Sequence, residues 1–313
     1  MKLKKPKFWD YKYPNSYAYA LFPIAILIKI FNFLNKKSIK YSPKIKIICV
    51  GNIYIGGTGK TSLCLQLNKI LTKSNLKSCF VKKFYKNQMD EQKILNENGK
   101  LFLSRKRVDA IKQAEKENFR YAILDDGLQD KTVKKDISLI CFNTINWIGN
   151  GMTIPSGPLR ENVQSLKKYE HVFLNGNLEN LEDLKDEIFR INSKINIHIG
   201  KYEITNFFEF NLNNKFLVFS GIGNHETFIS MMIKNKFNII KDIEFPDHYE
   251  YSNNDIDKII KESIKLDCEI VTTEKDFNRL NHLQKSKIKI LKTELKIIDE
   301  EKLINSITKN EKY

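Results

Sequence analysis

A chain of 313 residues that is 42% hydrophobic and 29% charged can bury one or two cores, and it has no Pro/Gly/Ser tract or internal repeat, which excludes fibrous, solenoid and disordered classes. Its formal net charge of +16 comes from lysines spread through the chain beside abundant Asn and Ile, while arginine is scarce. Charge alone therefore does not name a nucleic-acid partner, none is expected, and an anionic membrane surface fits at least as well.

The first element is the apolar stretch YAYALFPIAILIKIFNFL, from Tyr17 to Leu34, broken by Pro23, Lys29 and Asn32. It is slightly short for a spanning helix. Lysines flank it on both sides, at Lys2, Lys4, Lys5, Lys7 and Lys12 and at Lys36, Lys37, Lys40, Lys44 and Lys46, so the positive-inside rule gives no orientation. The stretch reads as a segment lying in a cytoplasmic membrane interface; the other reading is a buried helix of a soluble domain. No small-residue cleavage site follows it, which argues against a signal peptide. Cys49, Cys64, Cys79, Cys141 and Cys268 form no CxxC pair and no zinc spacing, and read as reduced, mostly buried thiols of a cytosolic chain.

KIKIICVGN (44–52) is a β-branched run suited to a central parallel strand. Gly56, Gly57, Thr58, Gly59, Lys60 and Thr61 follow, and then an amphipathic helix with Leu63, Leu65, Leu67, Ile70 and Leu71 on its apolar face. Strand, glycine loop and helix are the parts of a phosphate-binding loop: backbone N–H groups crowd the phosphate oxygens and the helix N-terminus adds its positive end. Lys60 is expected to bridge the β- and γ-phosphates and the Thr61 hydroxyl to ligate Mg²⁺. The usual spacing would put the first glycine at position 54, where Tyr54 stands. Further on, YAILDDGLQD ends a short strand in Asp125 and Asp126 before Gly127. Adjacent carboxylates at a strand end suit a metal; a surface turn is the alternative.

Arg160 in GPLRE has two readings, a contact to an anionic group or a surface pair with Glu161. KFLVFS leads to Gly221 and Gly223, a second place for close ligand approach. CEIV leads to Glu274, Lys275 and Asp276, either at a ligand-bearing strand end or as solvated loop charges. Strands alternating with helices predict an α/β fold: a P-loop NTPase-like, mostly parallel sheet flanked by helices, with a smaller C-terminal α/β lobe. The expected division is 1–42 for the membrane-associated segment, 43–200 for the P-loop lobe and 201–313 for the C-terminal lobe completing the cleft.

VGN, GGTGKT, DDGLQ, PSGPLRE (155–161), FSGIGN (219–224), FPDHY (245–249) and VTTEKD (271–276), in that order, resemble the tetraacyldisaccharide 4'-kinase family. The resemblance implies transfer of the ATP γ-phosphoryl group to the 4'-hydroxyl of a lipid A disaccharide precursor, a tetraacyldisaccharide 1-phosphate, at the cytoplasmic face of the bacterial inner membrane. It implies ATP and Mg²⁺ as cofactors and a peripheral or monotopic attachment through the N-terminal helix; a monomer is expected. Position by position, it implies nucleotide contacts for Gly56, Gly57, Thr58, Gly59, Lys60, Thr61, Ser62, Tyr85 and Gln129. It implies metal contacts for Thr61, Glu91, Asp125 and Asp126, and catalytic roles for Lys60, Asp90 and His248. Asp90 is carried over as the base on the sugar hydroxyl and His248 as its partner. That pairing is chemically sensible, because an isolated aspartate is a poor base near neutral pH.

The chain departs from the family pattern at several motifs, most of all at the Gly-Asp-Glu-Pro segment. The family's Gly-Asp-Glu-Pro survives in QMDEQ only as Asp90 and Glu91, and its Ser-Arg-Gly-Tyr aligns with KKFY, so its arginine becomes Lys83 and only Tyr85 is kept. Leu128 replaces Phe, Asp130 replaces His, and Ser62 stands where proline is usual. The rival reading is a ParA/MinD-like partitioning ATPase, but Ile55 fills the place of its signature lysine. A metallochaperone GTPase would need a guanine signature and a His/Cys cluster, and neither is convincing.

Overall fold

The computed structural model describes residues 5–34, 41–176 and 178–308; Lys2, Lys4, Lys36, Lys37 and Lys40 lie outside them. After a short turn over Lys7–Asp10 comes α1 (Ser16–Leu34), then β1 (Lys46–Gly51), α2 (Lys60–Lys73), β2 (Ser78–Lys83), α3 (Met89–Glu97), β3 (Leu101–Ser104), α4 (Arg107–Lys116) and β4 (Tyr121–Asp125). The chain goes on through β5 (Ile137–Asn143), β6 (His171–Asn175), α5 (Leu181–Ile191) and β7 (Asn196–Ile204). A second set follows: β8 (Lys215–Ser220), α6 (His225–Lys234), β9 (Asn238–Glu244), α7 (Asn253–Leu266), β10 (Glu269–Thr273), α8 (Glu274–Phe277), α9 (His282–Lys285) and β11 (Lys289–Leu291). Last come β12 (Thr293–Ile297) and α10 (Glu300–Thr308).

Among the described residues these strands form two sheets, one of eight strands ordered β12-β7-β6-β5-β1-β4-β2-β3 and one of four ordered β11-β10-β8-β9. All neighbours are parallel except β12, which runs antiparallel to β7. The unbroken apolar runs of the central strands follow from burial on both faces. Ile47 and Cys49 of β1 enter one core while Ile48 and Val50 enter the other, and in the small sheet Phe216 and Val218 separate in the same way from Leu217 and Phe219. Each such fully buried side chain stabilises the fold by about 1.5–3 kcal/mol.

The lobes do not divide at residue 200. β12 and α10 return to the large sheet, where Leu295, Ile297, Leu303 and Ile307 join Leu63, Leu67 and Ile70 of α2 in one cluster. The small lobe is therefore an insertion between β7 and β12, because α2 needs that returning segment to cover its apolar face.

α1 is a 19-residue helix with Pro23 inside it. Among its described side chains the apolar ones point outward on most sides, with Leu27 and Phe31 each 66% exposed and only Ala18 and Ala25 buried. Among the described residues no helix is long and apolar enough to cross a membrane.

Candidate active site

The phosphate loop joins β1 to α2. Gly59 caps α2 at φ 78°, and a Cβ there would stand 2.8 Å from the Tyr202 hydroxyl and 2.9 Å from Asn175 Nδ2. Backbone conformation and space both demand glycine. Side chains brace the loop's carbonyls and hydroxyl: Asn175 Nδ2 donates to Thr58 O at 2.9 Å, Asn224 Nδ2 to Gly57 O at 3.3 Å, and Asn52 Nδ2 to Thr58 Oγ1 at 3.0 Å. These bonds leave the amides of the α2 N-terminus directed at the loop mouth. Tyr54, in the missing glycine's place, is buried and its hydroxyl donates to Asp10, which Lys5 also holds at 2.7 Å. The loop is thus tied to the segment preceding α1.

Register sets Val50 of β1 opposite Asp125 of β4, so the acidic pair emerges beside the loop. Asp125 is buried, and the Thr61 hydroxyl donates to its Oδ2 across 3.5 Å. Asp126 turns the chain at φ 55° and faces Lys60 at 3.7 Å and Arg160 at 3.0 Å. Burial pushes its carboxyl up, but Lys60 and Arg160 outweigh burial and lower it. Gln129 accepts from Arg160 at 3.2 Å and donates to Asn52 O at 3.0 Å. Arg160 therefore pairs with Asp126 in the site.

The acceptor side lies across the lobes. Asp90, in the first turn of α3, has Oδ2 3.4 Å from His248 Nδ1 and 2.5 Å from Arg279 Nη2. Arg279 is anchored in turn by Asp276, at 2.9 Å, and by Gly221 O, at 2.8 Å. Fully buried Asp276 also accepts from Gly221 N, Tyr251 and Thr273, so this aspartate is an internal anchor rather than a solvated loop charge. Glu91 has one oxygen 2.7 Å from Lys82 and the other 3.1 Å from Lys275.

Contacts through Asn52, Lys82 and Arg160 thus link the phosphate loop, Lys60, Thr61, Asp125, Asp126 and Gln129 to Glu91, next to the Asp90–His248 pair. The Ser62 hydroxyl engages Tyr202, whose own hydroxyl faces Gly59, and Tyr85 is 39% exposed beside Lys83, with its carbonyl accepting from Gln92. Lys82, Arg279, Asn52, Asn175 and Tyr202 were not found from the sequence. Lys82 offered one signal, a charge closing the apolar strand SCFVK; the others gave none without the fold. Among the described residues no group of three or more His, Cys, Asp or Glu is arranged to hold a metal ion.

A parallel sheet carrying a phosphate loop, with an acidic pair beside the loop and a carboxylate–histidine pair across a second lobe, defines an ATP-binding P-loop kinase. The family model described as tetraacyldisaccharide-1-P 4'-kinase matches residues 17–312, and the chain belongs to that family. It is 54% identical over 313 residues to the tetraacyldisaccharide 4'-kinase of Pelagibacter ubique (strain HTCC1062), covering 100% of both chains. It is 30% identical to that of Rickettsia bellii (strain OSU 85-389) over 300 residues, 90% of each. The fold is shared with LpxK from Aquifex aeolicus, solved in complex with ATP, at a TM-score of 0.67 and 22% identity over 93% of this chain and 99% of that one. Membership of this family does not favour the partitioning-ATPase alternative.

Proposed function

We propose that this chain transfers the γ-phosphoryl group of ATP to the 4'-hydroxyl of a tetraacyldisaccharide 1-phosphate at the cytoplasmic face of a bacterial inner membrane. The observation that carries it is one cleft edge holding both halves of the reaction: Lys60, Thr61 and Asp125 on the nucleotide side, and Asp90 with His248 at 3.4 Å on the acceptor side.

The residues fit a metal ion. Asp125 Oδ1 is buried with no hydrogen-bond partner, and the Thr61 hydroxyl lies against the same carboxylate, a pairing of hard oxygen donors suited to Mg²⁺. Thr61 and Asp125 would hold Mg²⁺, which when bound supplies charge neutralisation at the phosphates. Lys60 leaves Asp126 to lie along the transferred phosphoryl group, and Arg160 keeps Asp126 compensated when it does. Asp90 accepts the proton of the sugar hydroxyl, His248 shares it, and Arg279 holds the carboxylate in place. Positioning and charge account for most of the rate, since phosphoryl transfer through a loose transition state asks little of a base.

The outward-facing apolar side chains of α1 suit insertion at headgroup height, where an acylated disaccharide presents its sugar. Purified protein incubated with Mg-ATP and tetraacyldisaccharide 1-phosphate on anionic vesicles is expected to yield a 4'-phosphorylated product and to float with the vesicles. Lys60→Ala should lower turnover at least about 100-fold without loss of flotation. A Lys60→Ala rate equal to wild type would reject the kinase site; wild-type protein that stays off the vesicles would reject the membrane half alone.

A further inference from the structure

Lys82 is a lysine inside the large lobe, with 2% of its side chain exposed. Its ammonium stands 2.5 Å from Asp125 Oδ2 and 2.7 Å from Glu91 Oε2, and the remaining Glu91 oxygen is 3.1 Å from Lys275 Nζ. Three of the four oxygens on these two carboxylates therefore rest on ammonium groups. The fourth, Asp125 Oδ1, is the buried atom with no partner. Two carboxylates within reach of one atom repel each other unless a cation sits between them. The place Lys82 fills is the one a bridging ion would otherwise take. In the alignment of KKFY with Ser-Arg-Gly-Tyr, Lys82 falls where the family has serine, a side chain with neither the reach nor the charge to do this.

We propose that Lys82 is a built-in cation standing in for a second metal ion at the phosphoryl-transfer site. It leaves a single Mg²⁺ seat at Asp125 Oδ1 and Thr61 and keeps Glu91 off the metal. The proposal rests on the reading of Thr61 and Asp125 as the metal pair. Lys82 acts as a positioning residue. By joining Asp125 at the end of β4 to Glu91 in the first turn of α3, it fixes how far the neighbouring Asp90 stands from the nucleotide carboxylates. Arginine would retain the charge, whereas methionine or glutamine would leave the two carboxylates facing each other and open to a divalent ion.

The test counts bound Mn²⁺ by electron paramagnetic resonance, with and without a non-hydrolysable ATP analogue. Wild type and Lys82→Arg are expected to bind one Mn²⁺ with the nucleotide. Lys82→Met should bind a second, present without nucleotide and abolished when Glu91→Gln is added. Its turnover should fall about 10-fold or more while ATP affinity holds. Lys82→Gln repeats the measurement if the methionine variant does not fold. One Mn²⁺ at wild-type affinity in a folded neutral variant overturns the inference alone. No Mn²⁺ on wild type with nucleotide overturns the metal reading of Thr61 and Asp125, and this inference with it.

Discussion

Asp90 carries an imidazole and a guanidinium on the same oxygen, an arrangement that bears on how it can serve as a base. Burial alone would push its carboxyl up, but the hydrogen bonds from His248 and Arg279, with the Arg279 charge, hold it well below the usual carboxylate range. It is ionised wherever the enzyme is assayed, a weak base but a constant hydrogen-bond acceptor for the sugar hydroxyl, which suits a transition state in which the proton leaves late. With the guanidinium gone, burial still raises the Asp90 pKa and the His248 hydrogen bond still lowers it, so the carboxylate stays ionised but loses one of the two groups that orient it. Arg279→Gln should therefore lower kcat about 10-fold at every pH from about 5 to 8, measured on a variant that melts like wild type. Wild-type turnover would mean that Arg279 only braces the loop through Asp276 and Gly221.

At the scale of elements, the phosphate-loop helix is held from behind by a strand that returns from the far lobe. Glu294 of β12 accepts from Lys69 Nζ at 2.5 Å and Gln66 Nε2 at 3.0 Å, both on α2, and Lys296 lies 3.2 Å away. The Lys69 and Gln66 hydrogen bonds outweigh partial burial and bring its pKa from the ordinary 4.5 down to about 2. A lowered folded-state value means that the stabilisation is complete above about pH 4.5 and is lost as pH falls toward about 2. Because the group is partly exposed, the contribution is about 1 kcal/mol. Glu294→Gln should lower the urea midpoint accordingly at pH 7, with the difference from wild type shrinking steadily at pH 4 and pH 3. A difference that stays constant with pH would assign the loss to packing of β12 instead. The alternation in TELKI marks a strand, but nothing local to it says that its partner is β7, some ninety residues earlier, rather than the adjacent β11.

Over the whole molecule, the sequence disclosed what depends on neighbours along the chain. The glycine loop, the buried strand before it and the amphipathic helix after it are contiguous, so their geometry is written in residues 44–73. The acidic turn at Asp125 and Asp126 is local in the same sense. What ties the site together was not legible, because Lys82 reaches Asp125 across 43 residues and Arg279 reaches Asp90 across 189, and neither carries a spacing signature. The insertion of the small lobe between β7 and β12 was missed for the same reason. The contact between lobes that most directly concerns the nucleotide is made of backbone: Gly223, after β8, lies against Gly57 of the loop. A Cβ on Gly223 would stand 2.4 Å from Gly57 N and 2.9 Å from Asp247 Oδ2, and the backbone atom cannot swing aside. Gly223→Ala must therefore part the two loops by about 1 Å, a displacement that can cost about 100-fold in turnover when it falls between reacting groups. Asp90 and His248 face each other across the same pair of lobes, so both ATP affinity and kcat should fall. Calorimetric ATP titration and steady-state rates would measure them, on protein whose melting temperature shows that each lobe still folds. Wild-type affinity and turnover in Gly223→Ala would mean that the lobes are free to separate during the reaction and that their backbone contact is not part of the working site.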